Sequence, residues 1–215
     1  MGRKQATILI ADDHALVAEG YVKILEPDYE IVGTVADGQA LLREVANHHP
    51  NIVILDIAMP LLNGLDAAQQ VKRKMPDVKV VFVTMNNDED LIAEAFRRGA
   101  SGYLPKTATA TELLQAIREV LNGRSYLSPA SAEGTIRSLL TREKDGGKAP
   151  ETLTDRQRQV LQLLAEGKSM KEAAALLNTT DRTVAFHKYR IMRKLRLHNS
   201  AELVQYAMRN HIIPD

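Results

Sequence analysis

Asp12, Asp13, Asp56, Thr84 and Lys106 are the residues of this 215-residue chain whose types and spacing could do chemistry together. Each follows an apolar, largely β-branched run: residues 7–11 before Asp12-Asp13, 52–55 before Asp56, 78–83 before Thr84, and 102–104 before Pro105-Lys106. Such runs read as buried strands. In open parallel α/β sheets, ligands meet the protein outside the carboxyl ends of the strands. Three carboxylates, a hydroxyl and an ammonium would therefore converge on one edge. Carboxylates that close repel one another, and burial raises their pKa values. A hard cation relieves this, and oxygen donors with room for water suit Mg²⁺. Mg²⁺ and Lys106 together could neutralise an incoming phosphoryl group, which an Asp carboxylate could accept as an acyl phosphate.

The elements that must position these groups alternate. Strands are expected at residues 7–11, 30–35, 52–55, 78–83 and 102–104, and helices at 15–25, 37–47, 64–74, 88–98 and 111–121. Gly99 and Asn122-Gly123 are placed to stop helices. Strands apolar on both faces imply a parallel sheet covered on both sides. The expected fold is α/β, a flavodoxin-like doubly wound sheet of five parallel strands. Apolar content of 45% and charged content of 26% are ordinary for a globular protein. With no cysteine, disulfides, thiolate metal sites and cysteine nucleophiles are excluded. The apolar run near the N-terminus is too brief for a signal segment or a membrane span. A cytoplasmic protein with no membrane partner is expected.

Asp12-Asp13, Asp56-x-x-Met59-Pro60-x-x-x-Gly64, Thr84 and Gly102-Tyr103-x-x-Lys106 together resemble the receiver domain of bacterial two-component response regulators, over residues 6–122. The resemblance implies that Asp56 is the phosphoacceptor, served by a sensor histidine kinase or a small phosphodonor. It implies that Asp13, Asp56 and the backbone carbonyl of Ala58 ligate Mg²⁺, with Asp12 acting through water. Thr84 would bond the phosphoryl oxygens, Lys106 would pair with the phosphate, and Tyr103 would turn inward as Thr84 moves. Taken singly, each residue has a plainer reading: an acidic pair after a strand is often a helix cap, and Tyr103 could be a half-buried strand residue. A rival is a phosphohydrolase with an Asp nucleophile. Such enzymes commonly carry a second Asp two residues on, where this chain has Ala58. No enzymatic turnover is expected beyond the receiver's own phosphorylation and dephosphorylation.

Charge divides the chain. Residues 1–123 carry 12 Lys/Arg against 17 Asp/Glu, and residues 150–215 carry 11 against 7. An acidic first part and a basic last part suggest separate tasks, with a polyanion as partner for the second. The expected division is a first domain over 1–123, a linker over 124–149 and a second domain over 150–215. Within the linker, 130–141 could form a short helix. Residues 142–150 are charged, Gly-rich and free of large apolar side chains, which reads as a flexible tether.

Thr154-Asp-Arg-Gln157 and Ser169-Met-Lys-Glu172 are capping boxes. They open two helices, the second rich in small residues (Ala173, Ala174, Ala175). Asn178-Thr179 forms a turn, and Thr180 can cap a basic helix running to about Leu195. Ser200 or Asn199 starts a fourth. This is a helix-turn-helix pattern within an all-α domain of four helices. On a helical wheel Val184, Ile191 and Leu195 form the buried stripe, while Arg182, Phe186, Tyr189, Arg190 and Arg193 lie opposite, with Ala185 at the margin. Exposed aromatics suit thymine methyls, and arginines suit phosphates or guanine edges. A helical protein–protein module is the plainer alternative.

Leu153-Thr-x-Arg156, Gly167-x-Ser169-x-Lys171-Glu172-x-Ala174 and Thr183-Val184-x-x-His187-x-x-x-Ile191-x-x-Lys194-Leu195 resemble the LuxR-type helix-turn-helix over residues 151–213. Joined to a receiver, this is the NarL/FixJ class of response regulators. The resemblance implies a double-stranded DNA partner bound as paired half-sites by a homodimer formed on phosphorylation. The expected DNA-facing set is Arg182, Thr183, Ala185, Phe186, Lys188, Tyr189, Arg190, Arg193 and Lys194. Ala173 and Ala185 depart from the family, which usually has a larger aliphatic and often a cation there. The last helix would dimerise through Leu203, Val204 and Ala207, or pack that face inside its own monomer.

Overall fold

A computed structural model describes residues 6–86, 88–132 and 153–213. The chain divides into two compact units. The first begins with β1 (Thr7–Ala11), α1 (Ala15–Leu25), β2 (Glu30–Val35), α2 (Gly38–His48), β3 (Ile52–Leu55) and α3 (Gly64–Lys74). It continues through β4 (Lys79–Thr84), α4 (Glu89–Arg97), β5 (Gly102–Pro105), α5 (Ala110–Leu121) and β6 (Tyr126–Leu127). All pairings are parallel, in the order β2-β1-β3-β4-β5-β6. The sheet thus has six strands rather than the expected five. The sixth is two residues long, too short to leave a periodic signal, and it lies where a linker was expected from residue 124. The expected helix over 130–141 and the tether over 142–150 lie outside the described residues, apart from a helical start at 129–132.

Period-two alternation builds two cores from the same strands. Ile8, Ile10, Ile52, Ile54, Val81 and Val83 pack with Leu25 of α1 and with Leu113, Ile117 and Val120 of α5. Leu9, Val53, Leu55, Val80 and Phe82 point to the opposite face and are equally buried. The order reverses at β1, so the crevice between the C-terminal ends of β1 and β3 is the topological switch point. Helix starts follow local chemistry: Asp37, Asp88 and Thr109 each accept a backbone N–H of the first turn.

A buried ion pair ties α4 to α3. Arg98 reaches Asp66 at 2.5 Å and Glu94 at 2.6 Å, and the Arg98 and Asp66 side chains are only 12% and 4% exposed. Burial alone would lower the Arg98 pKa, but the Asp66 and Glu94 carboxylates outweigh it and hold the guanidinium firmly charged. Arg98→Met should therefore lower the unfolding free energy by about 3 kcal/mol, because it removes one partner of a buried ion pair. Urea denaturation followed by circular dichroism checks this, and a loss under about 1 kcal/mol would demote the pair to a surface contact.

The second unit contains α6 (Asp155–Ala165), α7 (Met170–Leu176), α8 (Asp181–Leu195) and α9 (Ser200–Arg209). Both capping boxes form, and Thr180 and Asn199 cap the last two helices. Asn178 makes the turn before α8 with φ 48°, a left-handed conformation that Asn tolerates better than most residues. The core collects Val160, Leu161, Leu163, Ala173, Ala174, Leu177, Val184 and Ile191. Ala175, expected among the close-packing residues, is exposed. Leu203 and Ala207 belong to this core and are essentially inaccessible. Of the two alternatives for the last helix, the monomer takes that pair inward, because their i, i+4 spacing aims both at the same neighbours. Val204 remains half-buried at the margin.

Candidate functional site

The site is assembled by backbone register. Ala11 pairs with Leu55 across β1 and β3, so the next residues along each strand, Asp12 and Asp56, emerge side by side. The Asp56 N–H donates to the Ala11 carbonyl at 2.9 Å. Thr84 pairs with Pro105, and the Lys106 N–H donates to the Thr84 carbonyl at 2.8 Å. Strand ends thus bring the acids, the hydroxyl-bearing strand and the ammonium to one rim, as the sequence implies.

Lys106 Nζ lies 2.8 Å from Asp12 Oδ2 and 2.8 Å from Asp56 Oδ2. Burial would depress its pKa, but hydrogen bonds and charge from Asp12 and Asp56 overcome that and raise it. Asp56 is only 3% exposed, and its Oδ1 accepts the Ile57 N–H at 2.7 Å. The remaining carboxylate oxygen is left to Lys106. Asp13 is more open. Ligand atoms of Asp12, Asp13, His14 and Asp56 all lie within 4.8 Å of one another. Three carboxylates against one ammonium leave a net negative, oxygen-rich cluster, and this donor set fits a hard divalent cation.

His14 escaped the sequence reading. Its backbone N–H donates to Asp12 Oδ1 at 2.9 Å, and its Nδ1 sits 2.8 Å from Asp13 Oδ1 and 3.2 Å from Asp12 Oδ1. Lys106 Nζ lies 3.4 Å from the same nitrogen. The signal was present in the adjacency His14 shares with two acids.

The loop after Asp56 depends on Gly64. The Gly64 N–H closes on the Ile57 carbonyl at 2.8 Å. A Cβ there would stand 2.0 Å from the Asp56 carbonyl oxygen and 2.9 Å from Ile57 Cα. Only a residue without a side chain lets the start of α3 lie against the Asp56 backbone.

Thr84 is buried, and its Oγ1 accepts the Asn86 N–H at 3.4 Å. Tyr103 was expected to turn inward on activation. In this structure the ring is already inside and 0% exposed, 6.4 Å from the Phe82 ring. Its hydroxyl donates to the Asn86 carbonyl at 2.6 Å. Register explains the placement: Tyr103 pairs directly with Phe82, on the face away from α5. The ring thereby fastens the segment just beyond Thr84.

Burial, then the charges of Asp88 and Asp56, raise the Tyr103 phenol above its ordinary range. Burial, then Asp12 and Asp56, do the same for Tyr21. A phenol whose folded pKa exceeds its unfolded value stabilises the fold below about pH 10, and that stability is lost as pH rises through the folded pKa. In an alkaline absorbance titration, Tyr21 and Tyr103 should be the last of the 6 tyrosines to ionise. They should do so in a step that coincides with unfolding. Smooth titration of all 6 in a folded chain would contradict this burial.

In the second unit, α8 presents Arg182, Phe186, Tyr189, Arg190 and Arg193 to solvent, with Val184 and Ile191 beneath. Phe186 and Tyr189 are 55% and 66% exposed, unusual for large apolar rings. Ala185 is at the margin. Thr183 and Lys188, expected on the DNA face, are engaged locally. Thr183 Oγ1 lies 2.9 Å from Thr180 Oγ1, and Lys188 Nζ donates to Ser200 Oγ at 3.2 Å. Lys194 is half-buried. Among the described residues, no helix is long and apolar enough to cross a membrane.

Comparison with known proteins matches both units. Residues 8–118 match the response regulator receiver domain, and residues 151–207 match the bacterial regulatory proteins of the luxR family. The chain is 34% identical over 213 residues to the oxygen regulatory protein NreC of Staphylococcus carnosus (strain TM300), covering 96% of this chain and 98% of the relative. Among solved structures, the RcsB response regulator of Salmonella typhimurium is similar with a TM-score of 0.61 at 26% identity, over 95% of this chain and 97% of that one. RcsB from Salmonella enterica serovar Typhimurium, bound to promoter P1flhDC in the presence of phosphomimetic BeF3⁻, gives 0.59 at 26% identity, over 94% and 97%. A LuxR-family two-component response regulator from Aurantimonas sp. SI85-9A1 gives 0.61 at 32% identity, over 63% of this chain and 99% of that one.

Proposed function

Because this chain belongs to the two-component response regulators that join a receiver domain to a LuxR-type DNA-binding domain, we propose that phosphorylation of Asp56 sets its affinity for DNA. The observation that carries this reading is the Lys106 ammonium held 2.8 Å from both Asp12 and Asp56 at the rim of the sheet. That ammonium sits where a phosphoryl group on Asp56 would need a counter-charge.

The phosphodonor is a phosphohistidine on a sensor kinase, or a small acyl phosphate. An Asp56 carboxylate oxygen attacks phosphorus, the new O–P bond forms, and the P–N bond to the imidazole breaks, leaving the kinase histidine free. Lys106 tracks the developing charge onto the phosphoryl oxygens, and the Thr84 hydroxyl donates to another of them. Mg²⁺ would be held by Asp12, Asp13, Asp56 and the Ala58 carbonyl, and it supplies charge neutralisation during transfer. The same cluster holds the acyl phosphate until water attacks it, so the domain is a timed switch rather than an enzyme acting on other molecules.

Tyr103 links the site to the segment beyond β4. Its hydroxyl holds the Asn86 carbonyl, two residues beyond Thr84, so a pull on Thr84 strains that latch. This is a local charge event biasing a two-state element. In the cytoplasm, phosphorylated homodimers then bind paired half-sites, with α8 in the major groove and Arg182 and Arg193 on the flanking phosphates. Leu203 and Ala207 are committed to the monomer core, which leaves Val204 as the member of that trio available to a partner copy.

Beryllofluoride with Mg²⁺ should tighten binding of the full chain to a selected DNA site at least fivefold, within the usual range of coupling between sites. Fluorescence anisotropy at fixed salt measures it. Equal affinity with and without the mimic would favour a regulator gated by something other than phosphate.

A further inference from the structure

The exposed face of α8 carries a contact that a simple basic helix would lack. Arg190 Cζ lies 5.2 Å from the centroid of the Phe186 ring, a cation–π arrangement between residues one helical turn apart. The His187 ring also packs edge-on with Phe186, at 5.7 Å between centroids and 70° between planes. Burial first, and then the nearby Arg156 and Arg190 charges, lower the His187 pKa below its ordinary value. Ala185, beside Phe186, contributes no long side chain to crowd the ring.

A guanidinium stacked on a ring has one face covered and its in-plane fork still free. The fork matches the O6 and N7 acceptors of guanine in the major groove. The ring presents carbon at the same depth, and the apolar feature of that groove is the thymine methyl. The guanidinium and the ring stand 5.2 Å apart, between one and two base-pair rises of about 3.4 Å, so the two groups reach adjoining base pairs.

We infer that Phe186 and Arg190 act as one reading unit for a thymine adjoining a guanine in each half-site, Arg190 taking the guanine edge and Phe186 the thymine methyl. This rests on the reading that α8 enters the DNA groove. Specificity would then rest on an aromatic–arginine pair one helical turn apart.

The test uses the full chain with beryllofluoride and Mg²⁺, and DNA selected from a random pool. The enriched half-site should contain a T·G neighbour pair. Replacing that thymine by uracil, which removes only the methyl, should weaken wild-type binding about fourfold, the factor equivalent to burying one methyl. Phe186→Ala should bind thymine and uracil sites equally while keeping its guanine preference. Arg190→Lys, which keeps the charge, should lose roughly five- to 150-fold in guanine discrimination with an unchanged salt slope. Circular dichroism melts confirm that these surface variants fold. Enriched sites without the T·G pair, or an equal uracil penalty in wild type and Phe186→Ala, would overturn the pairing while leaving α8 as the DNA-contacting helix. Indifference of DNA binding to both variants and to Arg182→Ala would overturn the underlying reading as well.

Discussion

Asp56→Asn should take up no phosphoryl group from acetyl phosphate and Mg²⁺, with labelling falling to background, while its unfolding midpoint stays at or above that of the wild type. The two halves of this expectation have separate causes. Chemistry is lost because an amide oxygen is too weak a nucleophile to displace at phosphorus, and no other carboxylate at the rim is placed as Asp56 is. Asp12 is spoken for by Lys106 and by the His14 backbone, and Asp13 is the more open residue. The fold is kept because the amide oxygen still accepts the Ile57 N–H, the contact now made at 2.7 Å. Removing one of three acids also relieves repulsion, while Asp12 continues to neutralise Lys106. Intact-protein mass spectrometry with a parallel urea titration reads both. Acid-stable label persisting in the variant would point to a hydroxyl acceptor, and acid-labile label would point to Asp12 or Asp13.

Gly64→Ala is the second large effect, and it works through shape alone. A methyl 2.0 Å from the Asp56 carbonyl oxygen meets backbone on every near side, and backbone at the end of a central strand cannot swing away as a side-chain tip would. Either α3 backs off, breaking the 2.8 Å closure from Gly64 N–H to Ile57, or the Asp56 peptide turns and carries its carboxylate away from Lys106. The expected loss is about 3 kcal/mol or more, together with a phosphorylation rate well below wild type. Gly33→Ala is the control: its nearest neighbour is the Leu9 Cδ1 methyl at 3.3 Å, which can yield. Similar midpoints for the two variants would mean that the approach of α3 to Asp56 is looser than described.

Much of this was legible in the residues. Strand ends are set by apolar runs, and a parallel sheet must bring those ends to one edge, so Asp12, Asp56, Thr84 and Lys106 could be located together before any coordinates. The exposed face of α8 emerged from its period in the same way. What stayed hidden depended on distance or direction. Asp66 and Arg98 stand 32 residues apart, and no local pattern announces their pairing. Tyr103 could be placed on a strand, but whether its ring lay in or out is decided by the Phe82 opposite. Lys188 and Thr183 have the right chemistry for DNA, yet hydrogen bonds turn them to Ser200 and Thr180. Leu203 and Ala207 satisfy both a dimer face and a core face, and only the packing of α9 on α6 selects the core.

The two-residue strand β6 bears on how this protein can be cut. Tyr126 N–H reaches the Ser101 carbonyl and Ser128 N–H the Tyr103 carbonyl, each at 3.0 Å, so the segment after α5 caps the outer rim of β5. A fragment ended at residue 123 would strip that cover and bare a row of ladder groups, inviting sheet-to-sheet self-association. One carried through residue 132 would keep an edge too short to serve as a template, and it should remain monodisperse where the shorter piece precipitates.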